Sequence, residues 1–305
     1  MIIVFFGSGD FTFPIVKRIK EEFTLAGVVV TKPKPRGRGL KIRLPEVARW
    51  AEEQGIEVFT PDDPNDKEFI NTLTKLNPDI FVLSSYGHLL KNELLEVPRL
   101  GGINIHPSLL PKYRGAAPIQ RALMAGEKKT GITVIFMDEK IDHGDIIFQR
   151  ELSIKEDEDY GSLSSRLSYL AADIIGDVLR AVEAGDYKRV KQNPQEKSYA
   201  GKIKKEETMI DWHNSTEKIY NLVRALSPQP GARTVFRNKE LKIMAVEPTD
   251  RKLSPGICHI ENKSIYVGTG DGSVILRKVK PENRRMISGL DFINGFRIKE
   301  GEVIG

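Results

Sequence analysis

The first six residues leave few choices of fold. Ile2-Ile3-Val4-Phe5-Phe6 carries no polar side chain and runs straight into Gly7-Ser8-Gly9-Asp10, after which a helical pattern extends to about Glu22 and a second apolar run spans Leu25 to Val30. Strand, tight turn, helix and strand in that order open a doubly wound α/β sheet. The turn is not a complete dinucleotide fingerprint. Thr12 stands at the third glycine position, and the second strand ends in Thr31-Lys32 rather than in an acid that would hold a ribose. No nucleotide cofactor is expected.

The alternation continues. Helices are predicted over Glu46–Gln54, after Pro45 at a helix start, and over Asp66–Leu76, with strands at Ile56–Phe59 and Asp79–Ser84. A helix over Ala117–Ala125 and strands over Gly131–Met137 and Asp145–Arg150 follow. Tyr160–Ala184 reads as one long amphipathic helix with Leu163, Leu167, Leu170, Ile174, Ile175 and Leu179 on its apolar side. The chain then loses periodicity and gains lysines, so 189–207 reads as a linker between a first domain, 1–188, and a second, 208–305. In the second, a helix over Ser215–Leu226 stops at Ser227-Pro228-Gln229-Pro230-Gly231. Five short strands follow, at Arg233–Phe236, Leu241–Val246, Gly256–Glu261, Ser264–Val267 and Ser273–Val279, with a last helix from about Ser288. The expected architecture is a Rossmann-like, doubly wound, mainly parallel sheet with a C-terminal small β-barrel domain of the OB-like kind.

Composition narrows the function classes. The single cysteine, Cys258, rules out an internal disulfide framework and fits a reducing compartment. The opening apolar run is too short for a secretory signal, and nothing approaches the roughly 18 apolar residues of a membrane span; a cytoplasmic protein without a membrane partner is expected. The net charge of +5 is unevenly placed. Residues 189–305 hold 22 Lys+Arg against 14 Asp+Glu, a net of +8, which leaves the rest of the chain at −3. The basic part suits a nucleic-acid contact or a lysine-rich surface. The stretch Thr31 to Leu44 carries six basic residues, two prolines, two glycines and no acid; it reads as a cationic loop, either an arm for RNA phosphates or a solvated surface loop.

Two places gather polar groups without a surface reason. In Gly102-Ile103-Asn104-Ile105-His106-Pro107, strand alternation puts Asn104 and His106 on one face and Ile103 and Ile105 on the other. An amide beside an imidazole at the carboxyl end of a strand suits a carbonyl oxygen that becomes negative during reaction, or else forms a satisfied polar pair in a turn. The second place is the turn Ile141-Asp142-His143-Gly144-Asp145. A metal hydrolase using His88, His106, His143, Asp142 and Asp145 lacks a recognised ligand spacing, so no metal is expected. At the end of the fourth strand, Tyr86 and Gly87 either admit a flat ring or are a structural tyrosine and a turn glycine.

With Asn104-Ile-His106-Pro-Ser-Leu-Leu-Pro-Lys-Tyr-Arg-Gly and Asp142-His-Gly-Asp downstream, the chain resembles the formyltransferases that use 10-formyltetrahydrofolate. The Arg-Gly-Arg-Gly loop, Tyr199-Ala-Gly-Lys-Ile-Lys-Lys-Glu, Arg224-Ala-Leu-Ser-Pro-Gln-Pro and Ser288-Gly-Leu-Asp-Phe-Ile-Asn-Gly extend the likeness over nearly the whole chain and toward the tRNA-directed members. The resemblance implies that Asn104, His106 and Asp142 are catalytic and that Ser108, Leu109, Leu110 and Pro111, with Tyr86 and Gly87, line the folate site. It implies that Arg38, helped by Arg36 and Lys41, contacts a charged initiator tRNA, and that 10-formyltetrahydrofolate is the co-substrate. His143 and Gly201 depart from the family pattern without removing a catalytic group. A formyltransferase acting on a sugar-nucleotide amine and a non-catalytic RNA-binding protein are the competing readings.

Overall fold

Apolar strands that alternate with helices give the first of two units. The computed structural model describes residues 1–32 and 44–305, so the predicted tRNA contacts Arg36, Arg38 and Lys41 lie outside the described residues. The first unit comprises Met1–Pro118, Lys129–Ser153 and Ser164–Gly201; the second comprises Ile119–Lys128, Ile154–Leu163 and Lys202–Gly305.

The first unit is built on a seven-stranded sheet of β1 (Ile2–Phe6), β2 (Thr24–Val29), β3 (Glu57–Phe59), β4 (Ile80–Leu83), β5 (Gly102–His106), β6 (Lys129–Phe136) and β7 (Ile146–Ser153), in the order β3-β2-β1-β4-β5-β6-β7. The first five are parallel; β6 pairs antiparallel with β5 and with β7. Helices α1 (Phe13–Glu22), α2 (Glu46–Glu53), α3 (Lys67–Lys75) and α4 (Asn92–Leu95) connect the parallel strands. Val4, Phe6, Val29, Leu73, Phe81 and Leu83 form one buried core, and each such side chain contributes about 1.5–3 kcal/mol by leaving water. Asp66 caps α3 by accepting a hydrogen bond from the Glu68 amide.

Two features of this sheet position polar groups. The order reverses beside β1, so the carboxyl ends of β1, β4 and β5 all lie at the edge where open α/β sheets bind ligands. Because β6 runs antiparallel to β5, it ends beside the amino end of β5, where the Met137 amide donates to the Gly102 carbonyl, and the turn after it is closed by the Phe136 amide on the Asp145 carbonyl.

The predicted linker is divided. Residues 189–201 run with the first unit, through paired Val190 and Ile146 backbone bonds of 2.9 Å and a bridge between Arg114 and Tyr199, and the second unit resumes at Lys202. The physical reason is that this stretch, aperiodic in side chains, satisfies its backbone against neighbouring loops instead of in an element of its own.

Helix α5 (Pro118–Met124) follows the β5 loop, and α6 (Tyr160–Ala184) has the bounds that its periodicity predicts. Within the second unit, α7 (Thr216–Leu226) is capped by the Ser215 hydroxyl, which accepts from the Lys218 amide. Five antiparallel strands, β8 (Ala232–Phe236), β9 (Lys239–Thr249), β10 (Cys258–Glu261), β11 (Ser264–Gly268) and β12 (Ser273–Pro281), take the order β10-β11-β12-β9-β8. The two-residue β13 (Ile287–Ser288) pairs with β12 and leads into α8 (Gly289–Phe296). Ile219, Leu241, Ile243, Val267, Val279 and Phe292 belong to its own apolar core.

Candidate active site

The alternation of β5 holds as predicted. Ile103 and Ile105 are fully buried on one side, while Asn104 is half-buried and His106 is 4% exposed on the other. Pro107 ends the strand and the chain turns back on itself through residues 107–115, with Tyr113 in the left-handed region at φ 62° and the Leu110–Pro111 bond cis. The return brings backbone groups to the strand end. The Tyr113 carbonyl lies 2.9 Å from His106 Nε2, and since a carbonyl only accepts, Nε2 carries the proton.

Asp142 arrives from the turn after β6. It sits in the left-handed region at φ 48°, an uncommon conformation that Asp tolerates better than most residues. Its Oδ1 accepts from Asn104 Nδ2 at 2.9 Å, and its Oδ2 accepts from the Gly115 amide at 2.8 Å. His106 Nδ1 stands 3.5 Å from the same Oδ2, with both side chains at most 10% exposed. The structure thus brings Asn104, His106 and Asp142 together. The imidazole tautomer is set by the Tyr113 carbonyl, while the closest hydrogen bonds of Asp142 go to Asn104 and to Gly115. His106 keeps Nδ1 as the nitrogen facing the carboxylate.

Ser108 to Pro111 are held by groups that sequence reasoning missed. The Thr133 hydroxyl donates to the Ser108 carbonyl at 2.6 Å and accepts from the Leu110 amide at 3.1 Å; Gln149 Nε2 reaches the Leu110 carbonyl at 3.0 Å and Thr133 Oγ1 at 2.9 Å. Ser108 itself is buried and donates to the Lys112 carbonyl at 2.7 Å. Thr133 is the residue opposite His106 across the β5–β6 ladder, so one cross-strand position supports the loop from below.

On its other side the loop meets residues 192–200. The Ser198 hydroxyl accepts from the Tyr113 amide at 2.9 Å, the Arg114 amide donates to the Ser198 carbonyl at 2.9 Å, and the Ala200 amide donates to the Arg114 carbonyl. Gly115 has φ 117° and its backbone packs against Ala200 so closely that a side chain would collide with the Ala200 carbonyl. Arg114, 5% exposed, donates from Nε and Nη2 to Gln192 Oε1 at 3.0 and 2.7 Å. Arg114, Gly115 and Ala200 fall within stretches that carry the family resemblance, whereas Gln192 and Ser198 carried no usable signal because they lie in aperiodic sequence.

The remaining predicted residues bond or pack elsewhere. Tyr86 is 4% exposed, packs its ring edge-on against Phe6 at 5.3 Å, and has a phenol pushed above its usual range by burial. It therefore serves the core, with His88 against its ring at 5.4 Å. Gly87 is exposed at φ 83° with open space where a side chain would point. His143 turns to Asp138, with Nδ1 2.6 Å from Oδ2 in an exposed pair. Among the described residues no group of three His, Cys, Asp or Glu side chains is placed to hold a metal ion, and no helix is long and apolar enough to cross a membrane.

A family model described as formyl transferase matches residues 1–179, and one described as the formyl transferase C-terminal domain matches residues 202–297. A methionyl-tRNA formyltransferase of Geobacter metallireducens is 41% identical over 305 residues, covering 99% of this chain and 98% of the relative. Among solved structures, HypX from Aquifex aeolicus in complex with tetrahydrofolic acid is similar with a TM-score of 0.65 at 19% identity, over 98% of this chain but 48% of HypX, so the chain spans about half of that protein. WlaRD, a sugar 3N-formyl transferase solved in the presence of dTDP and 5-N-formyl-THF, is similar with a TM-score of 0.68 at 18% identity, over 93% of this chain and 99% of that one. At these identities the two structures speak for the fold. The sequence matches go further, and by them the chain belongs to the formyl transferase family in both its N-terminal and C-terminal parts.

Proposed function

We propose that the protein transfers the formyl group of 10-formyltetrahydrofolate to the α-amino group of methionyl-tRNA, giving the N-formylmethionyl-tRNA used in translation initiation. The observation that carries this reading is the 41% identity to a methionyl-tRNA formyltransferase along 99% of the chain. The basic residues 189–305 add charge of the sign that an RNA substrate requires.

The co-substrate supplies a formyl group on nitrogen. The amine nitrogen bonds to the formyl carbon, the bond from that carbon to the folate nitrogen breaks, the amine gives up a proton and the folate nitrogen gains one. Negative charge develops on the formyl oxygen along the way, and donors fixed in advance stabilise it. Asn104 has two N–H groups, of which Asp142 engages one; the other is offered to that oxygen. His106, with Nε2 fixed on the Tyr113 carbonyl, presents Nδ1 toward the same carboxylate, and a proton there makes it the second donor. Asp142 accepts the amine proton through water. Ser108 to Pro111, held by Thr133 and Gln149, form the wall for the folate ring. Arg38, Arg36 and Lys41 contact tRNA phosphates, and the protein works in the cytoplasm, where charged tRNA is found.

The test is formyl transfer from 10-formyltetrahydrofolate to methionyl-tRNA, run beside an amino-sugar nucleotide and uncharged tRNA. Turnover confined to methionyl-tRNA is the expected result. Turnover confined to the amino sugar replaces the reading with the competing enzyme, and tight tRNA binding with no transfer to either amine replaces it with an RNA-binding protein.

A further inference from the structure

One polar side chain from the aperiodic stretch meets both loops of the site. Gln192 Nε2 donates to the Asp142 carbonyl at 2.9 Å and to the Gly144 carbonyl at 2.8 Å, while its Oε1 accepts from Arg114 Nε and Nη2. All of its hydrogen-bonding capacity is thereby turned on two segments: the turn that presents Asp142, and the loop whose Tyr113 carbonyl holds His106 and whose Gly115 amide meets the Asp142 carboxylate.

We propose that Gln192 is a positioning residue for formyl transfer, fixing the Asp142 carboxylate against Asn104 and His106 by tying the Asp142 turn to the Arg114 loop. The inference rests on the formyl-transfer reading above. Three observations support it. Asp142 holds a left-handed backbone, which something outside the residue must maintain, and Gln192 grips its own carbonyl. Gly144 packs so closely on the Phe136 carbonyl that no side chain fits, so the turn is pinned on one side by β6 and on the other by Gln192. The chemistry also demands an amide. A carboxylate could hold Arg114 but would face two carbonyl oxygens with acceptors, whereas an amide donates at one end and accepts at the other.

The experiment uses the full chain with Gln192→Glu and Gln192→Ala. Gln192→Glu keeps Arg114 paired, and with a full charge, but loses both donations to the turn. Its melting midpoint is expected within a few degrees of wild type or above it, with kcat lower by about 10- to 100-fold and KM for both substrates within about 2-fold, since small displacements of a reacting constellation cost on that order. Native-state hydrogen exchange gives the second readout: in the folded fraction of both variants the Gly115 amide loses protection, while amides of β5 and β6 keep theirs. Wild-type kcat in Gln192→Glu, or a kcat loss that only tracks a fall in melting midpoint with exchange raised throughout the first unit, overturns the proposal. If wild type fails to formylate methionyl-tRNA, the functional reading falls alone, and Gly115 protection still decides whether Gln192 positions the turn.

Discussion

The two units turn their buried polar residues to different ends, the first toward the candidate site and the second toward bracing its own core. In the first, charged and polar side chains are taken out of water and shared out: Arg114, His106, Ser108 and Thr133 are each at most 5% exposed, and each bonds a backbone group or an amide. In the second, buried polar side chains bond one another or nearby backbone around the apolar cluster that holds Phe292, Arg224 with Asn221, Trp212 with Thr234 and Ser227 with the Met244 carbonyl, and ion pairs such as Arg233–Glu240, Arg237–Glu302 and Arg251–Glu261 lie nearer the surface. Exposed pairs contribute little, so the second unit owes its stability to packing. The first accepts desolvated polar groups and a left-handed Asp142, features that cost stability and are retained where geometry matters more.

If that contrast is right, substitutions should separate by unit. The largest expected effect is on stability and comes from Phe292→Ala. Phe292 is fully buried between Phe236 and Phe296, with ring centroids 5.2 and 4.9 Å away. Truncation should cost about 3–5 kcal/mol in urea unfolding of the second unit, with kcat per folded molecule unchanged. A kcat loss in the folded variant would show that this core also shapes the site.

Next comes Asn104→Ala, which acts the other way. Losing one fixed donor to a developing oxyanion should lower kcat by about 10²–10³-fold, near 2.7–4 kcal/mol of barrier, while the urea midpoint moves little because Asn104 is only half-buried. A variant that keeps wild-type turnover would remove Asn104 from the proposed mechanism.

The same contrast explains what was legible in the sequence. Regular elements announce themselves by period: Tyr160–Ala184 is found within the bounds that its leucines and isoleucines set, and β8 through β12 fall where short apolar runs alternate with turns. Asn104, His106 and Asp142 were legible because an amide and an imidazole inside an apolar strand, and an acid in a turn, are costly placements. What escaped notice were their connections. The carbonyl of Tyr113 and the amide of Gly115 exist at every position of any chain and carry no residue code. Gln192 and Ser198 sit among lysines and prolines with no periodicity, so the stretch reads as a linker although it braces the site. Tyr86 was legible only as a choice of two roles, because a tyrosine after a buried strand suits a ligand or a core, and its ring packs in the core.

The smallest expected effect belongs to an ion pair of the second unit. Arg121 Nη1 and Nη2 meet Glu207 Oε1 and Oε2 at 2.6 and 3.0 Å, and the Lys204 amide adds a third donor. Arg121 first, then the Lys204 amide, hold the Glu207 carboxyl down at about 2, against an ordinary 4.5. A carboxyl whose folded pKa is depressed adds stability above its unfolded pKa and loses it as pH falls toward the folded value. The window here is therefore from about pH 4.5 down to about 2. So low a pKa would by itself suggest a strong pair, but Glu207 is 36% exposed and solvent screening reduces the pair to about 0.2–1 kcal/mol. Arg121→Gln should accordingly be less stable than wild type by about that amount at pH 7, and the difference should shrink through the window and disappear near pH 2. A difference that stays constant with pH would mean that Arg121 acts through the packing of its stem and not through its charge.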